Sequence, residues 1–230
     1  MIDVARQDYP DRDTLMRSLS ELVADQLRGA HASKHRATLA VPGGTTPGPF
    51  LEALSNADLA WSDIAVMPTD ERHVPESSDR SNTKLIRSTL LQNRAAEAEL
   101  VHFHAEVSGI EPLLNVVRGR VAKVLPIDVL VLGMGTDMHT ASLFPGAPGL
   151  DAALSADAPD LVALSPADQP ESRLSLSAPV LRAAEVIHIL IVGSDKLAAL
   201  ENALEDGPFE EAPVRVALSA PCPVTVHYAD

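Results

Sequence analysis

The segment Ile127–Leu132, apolar but for Asp128, constrains the fold of this chain more than any other, because it runs into VLVLGMGTDMHTASLFPG at 129–146. Consecutive β-branched and leucine residues without polar alternation mark a strand covered on both faces, as in a parallel sheet. The run breaks at Gly133 and Gly135, and Asp137, His139, Thr140 and Ser142 follow at once. A buried strand that ends in glycine and then presents a carboxylate, an imidazole and two hydroxyls is the layout of an α/β active site, whose ligands sit beyond the carboxyl ends of the strands.

Strand-like and helix-like segments alternate along the rest of the chain. Expected strands are Ala37–Val41, Ile64–Met67, Val101–Phe103 (weak), Leu161–Leu164, Leu174–Leu176, Val186–Val192 and Pro223–His227. Expected helices are Asp13–Ala30 with Asp13 as N-cap, Pro47–Leu54, Asn82–Leu91, Gly109–Leu125, and Lys196–Leu204 capped by Ser194 or Asp195. This alternation predicts an α/β fold, Rossmann-like, with a mainly parallel sheet and helices on both faces. With no repeat and no linker, residues 1–230 read as a single domain, with Pro145–Pro170 as a long loop or small subdomain. Aromatic residues make up only 3% of the chain, so the core must be built from Ala, Val, Leu and Ile.

A net charge of −14 argues against nucleic acid and anionic membrane as partners. No apolar run approaches the ~18 residues of a membrane span, and the first residues lack a signal-peptide stretch, so the expected compartment is the cytoplasm. The single cysteine, Cys222, agrees with a reducing compartment. A monomer or homodimer is expected.

Several clusters could carry chemistry. Gly43-Gly44-Thr45-Thr46-Pro47, between a strand and a helix, is either a tight turn with a capping Thr or an anion-binding loop. Asp137-x-His139 is either a loop histidine beside an N-cap or a base with its orienting carboxylate. Asp70-Glu71-Arg72-His73 after a strand is either a solvated turn or the lining of a pocket mouth. Lys196 and Arg173 are isolated bases at the edges of strand-like runs, on the surface or placed to meet phosphate. His102 and His104 read as surface residues, with a metal site the minor alternative. No G-x-S-x-G elbow is present, so a hydrolase here would use activated water directly.

Three blocks, VPGGTTP at 41–47, TDERHVPESSDRSN at 69–82 and the run at 129–146, occur together in one order. The chain resembles 6-phosphogluconolactonases from end to end, whose signature is written LGxGxDGHxASLFPG. The resemblance implies hydrolysis of a phosphosugar lactone, 6-phospho-D-glucono-1,5-lactone, to 6-phosphogluconate in the oxidative pentose phosphate pathway, without metal or cofactor. It implies a fold like that of glucosamine-6-phosphate deaminase and ribose-5-phosphate isomerase. It also implies His139 as general base, oriented by Asp137, and Arg72 with Asp70 at the lactone carbonyl. Gly43, Gly44, Thr45, Thr46, Ser81, Asn82, Arg173 and Lys196 are implied for substrate and phosphate binding. One residue departs from the signature: Met138 stands where the family has glycine. If that glycine serves positive φ, methionine strains the loop; if it serves close substrate approach, methionine crowds the pocket. Two alternatives remain. An aminosugar-phosphate deaminase/isomerase of the same fold would carry DEY and a Glu-Pro where this chain has Arg72 and Phe144-Pro145. A non-catalytic sugar-phosphate-binding protein has Met138 as its only support.

Overall fold

The structure, a computed structural model, describes residues 2–166 and 169–230. Seven parallel strands form the main sheet: β1 (Ala5–Asp8), β2 (Ala37–Val41), β3 (Ile64–Pro68), β5 (Glu99–Leu100), β6 (Val129–Gly133), β9 (Val186–Val192) and β10 (Val224–Ala229), in the order β1-β10-β9-β6-β2-β3-β5. A second, three-stranded antiparallel sheet joins β4 (Asp70–Arg72), β8 (Arg173–Leu176) and β7 (Leu161–Leu164). The parallel α/β expectation holds; the small antiparallel sheet is an addition the sequence reading did not contain.

The apolar run of β6 has a direct explanation. Val129 and Val131 pack into one core, Leu130 and Leu132 into another, one on each side of the sheet. The strand is buried on both faces because helices cover both. On one side lie α1 (Arg12–Lys34), α2 (Gly48–Leu54) and α3 (Asn82–Thr89), contributing Leu15, Leu19, Phe50 and Ile86. On the other lie α4 (Ile110–Val121), α5 (Leu150–Leu154), α6 (Ala178–Arg182), α7 (Ser194–Leu204) and α8 (Arg215–Leu218), contributing Leu113, Leu150, Leu181, Leu200 and Val216. No helix among the described residues is long and apolar enough to cross a membrane.

Several boundaries move, for local reasons. The cap of α1 is Asp11, not Asp13: its carboxylate accepts from the Thr14 amide at 2.7 Å. α7 begins at Ser194 behind Gly193, whose φ of 93° turns the chain without a side-chain cap. The weak strand at Val101–Phe103 is instead Glu99–Leu100; beyond it the Arg120 guanidinium holds the carbonyls of His102 and His104 in a loop. The stretch 145–170 contains α5 and β7, and Ala167 and Asp168 lie outside the described residues.

Strand order fixes where a ligand can sit. From β2 the chain proceeds outward through β3 to β5; from β6 it proceeds the other way through β9 to β10. The crevice between the carboxyl ends of β2 and β6 is therefore the topological switch point of the sheet.

Candidate active site

A cleft of 340 Å³ opens at that switch point. Its walls include Gly43, Gly44, Thr45 and Thr46 after β2, and Gly133, Gly135, His139 and Phe144 after β6. Asp70 and Arg72 come from β4, Asn82 from α3, Arg173 from β8 and Lys196 from α7. Ten of the twelve residues singled out from sequence thus meet in one place. The other two stand behind it. Asp137 holds the His139 ring, and Ser81 is the N-cap of α3, accepting from the Lys84 amide and donating to Glu71.

The loop after β6 is built to hold an imidazole. The Gly135 amide bonds the His139 carbonyl, the Met138 amide bonds the Gly135 carbonyl, and the Thr140 hydroxyl anchors the loop to the Gly133 carbonyl. A Cβ on Gly135 would lie 2.2 Å from His139 Nδ1, so only glycine admits the ring here. His139 Nδ1 lies 2.5 Å from Asp137 Oδ1. Burial works to raise the Asp137 carboxyl, but hydrogen bonds and charge from His139 outweigh it and hold the group below the usual carboxylate range. An ionised carboxylate only accepts, so Nδ1 carries the proton of this bond, and in a neutral imidazole so bonded the lone pair lies on Nε2. The Phe144 ring stacks on the imidazole with centroids 4.1 Å apart.

Met138 adopts φ 65°, the left-handed conformation that favours glycine. Its side chain packs against the core on the α4 side, outside the cleft wall, and its carbonyl accepts from the Val214 amide. The departure from the family signature therefore strains the loop and leaves the pocket uncrowded.

β4 sorts its residues by the pleat. Asp70 and Arg72 face the cleft while Glu71 points the other way and is buried. Asp70 does not pair with Arg72; its carboxylate accepts from the Ser142 hydroxyl at 2.5 Å. Asn82 Nδ2 reaches the Asp70 carbonyl at 2.7 Å, and its side chain lies where a Cβ of Gly43 would be. Glu71, absent from the sequence-derived set, accepts from the amides of Arg72, Asn82 and Thr83 and from the Ser81 hydroxyl. Its position between two flagged residues of an extended segment was the available signal.

Among the described residues the cations of the cleft have no ion-pair partner of opposite charge. Arg72 donates to the Arg80 carbonyl and Arg173 to Gln169 Oε1, and the buried Nε of each has no hydrogen-bond partner among the described residues. Burial first, and then the charge of Arg72, push the Arg173 guanidinium below its ordinary value. Burial does the same to the Lys196 ammonium. Among the described residues no group of three or more His, Cys, Asp and Glu could hold a metal ion, and His102 and His104 stand apart from the cleft.

The whole chain has known relatives. Residues 10–225 match the family model of glucosamine-6-phosphate isomerases/6-phosphogluconolactonase. The 6-phosphogluconolactonase of Pseudomonas aeruginosa is 42% identical over 92% of this chain and 89% of its own length. That of Mesorhizobium japonicum is 43% identical over 96% and 93%. The crystal structure of a 6-phosphogluconolactonase from Shewanella baltica superposes with a TM-score of 0.96, at 33% identity and full coverage of both chains. From its fold, its cleft and these matches, the chain belongs to the glucosamine-6-phosphate isomerase/6-phosphogluconolactonase family.

Proposed function

We propose that this protein is a 6-phosphogluconolactonase, hydrolysing 6-phospho-D-glucono-1,5-lactone to 6-phosphogluconate, the lactone-opening step of the oxidative pentose phosphate pathway. One observation carries the reading: a histidine bonded through Nδ1 to Asp137 shares a cleft with Arg72, Arg173 and Lys196, none of which is ion-paired to an acidic side chain among the described residues. The first suits water activation, the second a phosphate dianion.

In this reading His139 Nε2 takes a proton from water as the oxygen adds to the lactone carbonyl, and Asp137 fixes the ring and balances the imidazolium. Arg72 faces the oxyanion of the tetrahedral adduct. The adduct collapses, the C1–O5 bond breaks, and the imidazolium returns its proton to the ring oxygen. Water is added across one C–O bond and the base is regenerated. Arg173 and Lys196 hold the 6-phosphate, aided by the Gly43–Thr46 loop, and Asn82 and Asp70 meet sugar hydroxyls. Each charge-assisted contact to phosphate is worth about 1.5–3 kcal/mol. The protein acts without metal or cofactor, in the cytoplasm.

Freshly generated lactone, followed above its spontaneous hydrolysis, tests the reading. The protein is expected to accelerate opening of the phosphorylated lactone far more than that of the unphosphorylated one, and His139→Ala to lose ~10²–10⁴-fold in kcat while still binding 6-phosphogluconate. No acceleration by the wild type overturns the assignment. Turnover of glucosamine 6-phosphate in a parallel assay would move the protein to the isomerase branch of the family.

A further inference from the structure

Phe144 touches both working parts of the cleft. Its ring stacks on His139 with centroids 4.1 Å apart and planes 27° from parallel. The Arg173 guanidinium carbon lies over the same ring, 5.8 Å from its centroid. We propose that Phe144 is a positioning residue that fixes the separation between the imidazole base and the phosphate-holding guanidinium; the inference rests on the lactonase reading.

Three contacts define where the imidazole sits. Asp137 holds its Nδ1 edge, the backbone of Gly135 closes one side, and Phe144 supplies a flat wall. Asp137 alone leaves the ring free to swing about the Nδ1–Oδ1 bond; stacking removes that freedom. Phe144 is itself anchored. Thr140 and Leu143 form an isolated β-bridge, the Ser142 hydroxyl is held by Asp70, and the Ala147 amide bonds the Phe144 carbonyl. Arg173 reaches the ring from the antiparallel sheet, its guanidinium donating to Gln169 Oε1.

The substrate makes this spacing matter. Its reacting carbon and its phosphate are joined by a short carbon skeleton, so phosphate anchored at Arg173 presents C1 to the base only if Arg173 and His139 keep a set distance. A rigid ring in contact with both sets it. Misplacing a reacting group by about 1 Å can cost ~10²-fold. A face-on aromatic ring also favours the cation His139 becomes during turnover.

The test compares wild type, Phe144→Leu and Phe144→Tyr. Leucine keeps apolar bulk without the flat face; tyrosine keeps the ring. Phe144→Leu is expected to lose on the order of 10–10²-fold in kcat with KM raised no more than about fivefold, and Phe144→Tyr to recover to within about threefold of wild type. NMR of the His139 ring protons gives a readout without substrate: the ring-current shift from stacking should be present in wild type and Phe144→Tyr and lost in Phe144→Leu. An active wild type with equal kcat in Phe144→Leu overturns the inference alone. So does a kcat loss with unchanged His139 ring shifts, which would mark a purely structural effect. An inactive wild type overturns the lactonase reading instead, and the inference with it.

Discussion

Arg72 and Arg173 are directly opposite one another on the β4–β8 ladder. Like charges across a strand pair are destabilising, and here each guanidinium also keeps a buried Nε without a partner among the described residues. A fold does not gain stability from this arrangement. An anion set between the two would offset the repulsion and satisfy the orphaned donors.

Removing one of the two cations should therefore separate stability from binding. In Arg173→Met the long apolar stem is kept and the buried charge is lost. The apo protein is expected to melt at the same temperature or higher, while KM for the phosphorylated lactone rises by at least tenfold, from the loss of a contact worth about 1.5–3 kcal/mol. Millimolar inorganic phosphate should raise the melting temperature of wild type more than that of the variant. Calorimetry with and without phosphate, beside steady-state kinetics, checks this. A variant with normal KM would place the phosphate elsewhere.

Glu71 predicts the opposite pattern. Its buried carboxylate accepts from three amides and a hydroxyl at the start of α3, where a negative charge is favoured. In Glu71→Gln one oxygen becomes an NH2 group, and whichever way the amide turns it meets at least one backbone N–H. Leaving such donors unsatisfied costs about 1–3 kcal/mol, with up to about 1 kcal/mol more for the lost charge at the helix end. For a domain of this size the melting temperature should fall by roughly 5–10 °C. Thermal unfolding followed by circular dichroism gives the answer; an unshifted midpoint would mean the network is dispensable.

Met138 allows a sharper comparison. Met138→Gly relieves the left-handed strain, about 1–2 kcal/mol, but gives up a partly buried side chain of similar worth. Its stability should stay within about 1 kcal/mol of wild type, with turnover retained. Met138→Val puts a β-branched residue where φ is positive, so it should lose stability and turnover together, because the same turn carries His139. Equal behaviour of the two variants would mean that backbone conformation at 138 does not matter.

The legible part of this molecule was local. The Val129–Leu132 run announced a doubly covered strand, and the glycines after β2 and β6 announced the crevice between them. Ten cleft residues could be named because each lies within a few positions of a strand end or a family block. The antiparallel sheet was not legible. Strands were expected near 161–164 and 174–176, but the third, residues 70–72, is too short for periodicity and pairs with residues about a hundred positions on. That pairing is what sets Arg72 against Arg173 and turns Glu71 toward Ser81. Stacking of Phe144 on His139 was hidden for a similar reason: a residue five positions on returns through a turn in which Ala141 takes positive φ.

The face of the sheet under α1 carries a pH dependence of its own. His188 on β9 and His227 on β10 are buried and linked, Nδ1 to Nε2, at 2.9 Å. Gln26 Oε1 lies 2.7 Å from His188 Nε2, and the Tyr9 hydroxyl 2.9 Å from His227 Nδ1. One consistent pattern serves all four with both rings neutral: Tyr9 donates to His227, His227 to His188, and His188 to Gln26. Burial, and for His188 also the neighbouring ring, pushes the two down to about 3 and about 4. In the unfolded chain both return to about 6.5. Between these values the unfolded state binds protons that the folded state refuses, so stability falls as pH drops through about 6.5 and levels off below the folded values. At about pH 5 the loss is about 2 kcal/mol for each ring. The wild-type melting temperature should therefore drop by several degrees between about pH 7 and pH 5. His227→Gln, which keeps an acceptor for Tyr9 but cannot titrate, should melt lower at pH 7 yet show a visibly shallower fall. Scanning calorimetry across that range decides it. A flat wild-type profile, or an equal slope in His227→Gln, would show that these buried rings do not govern acid stability.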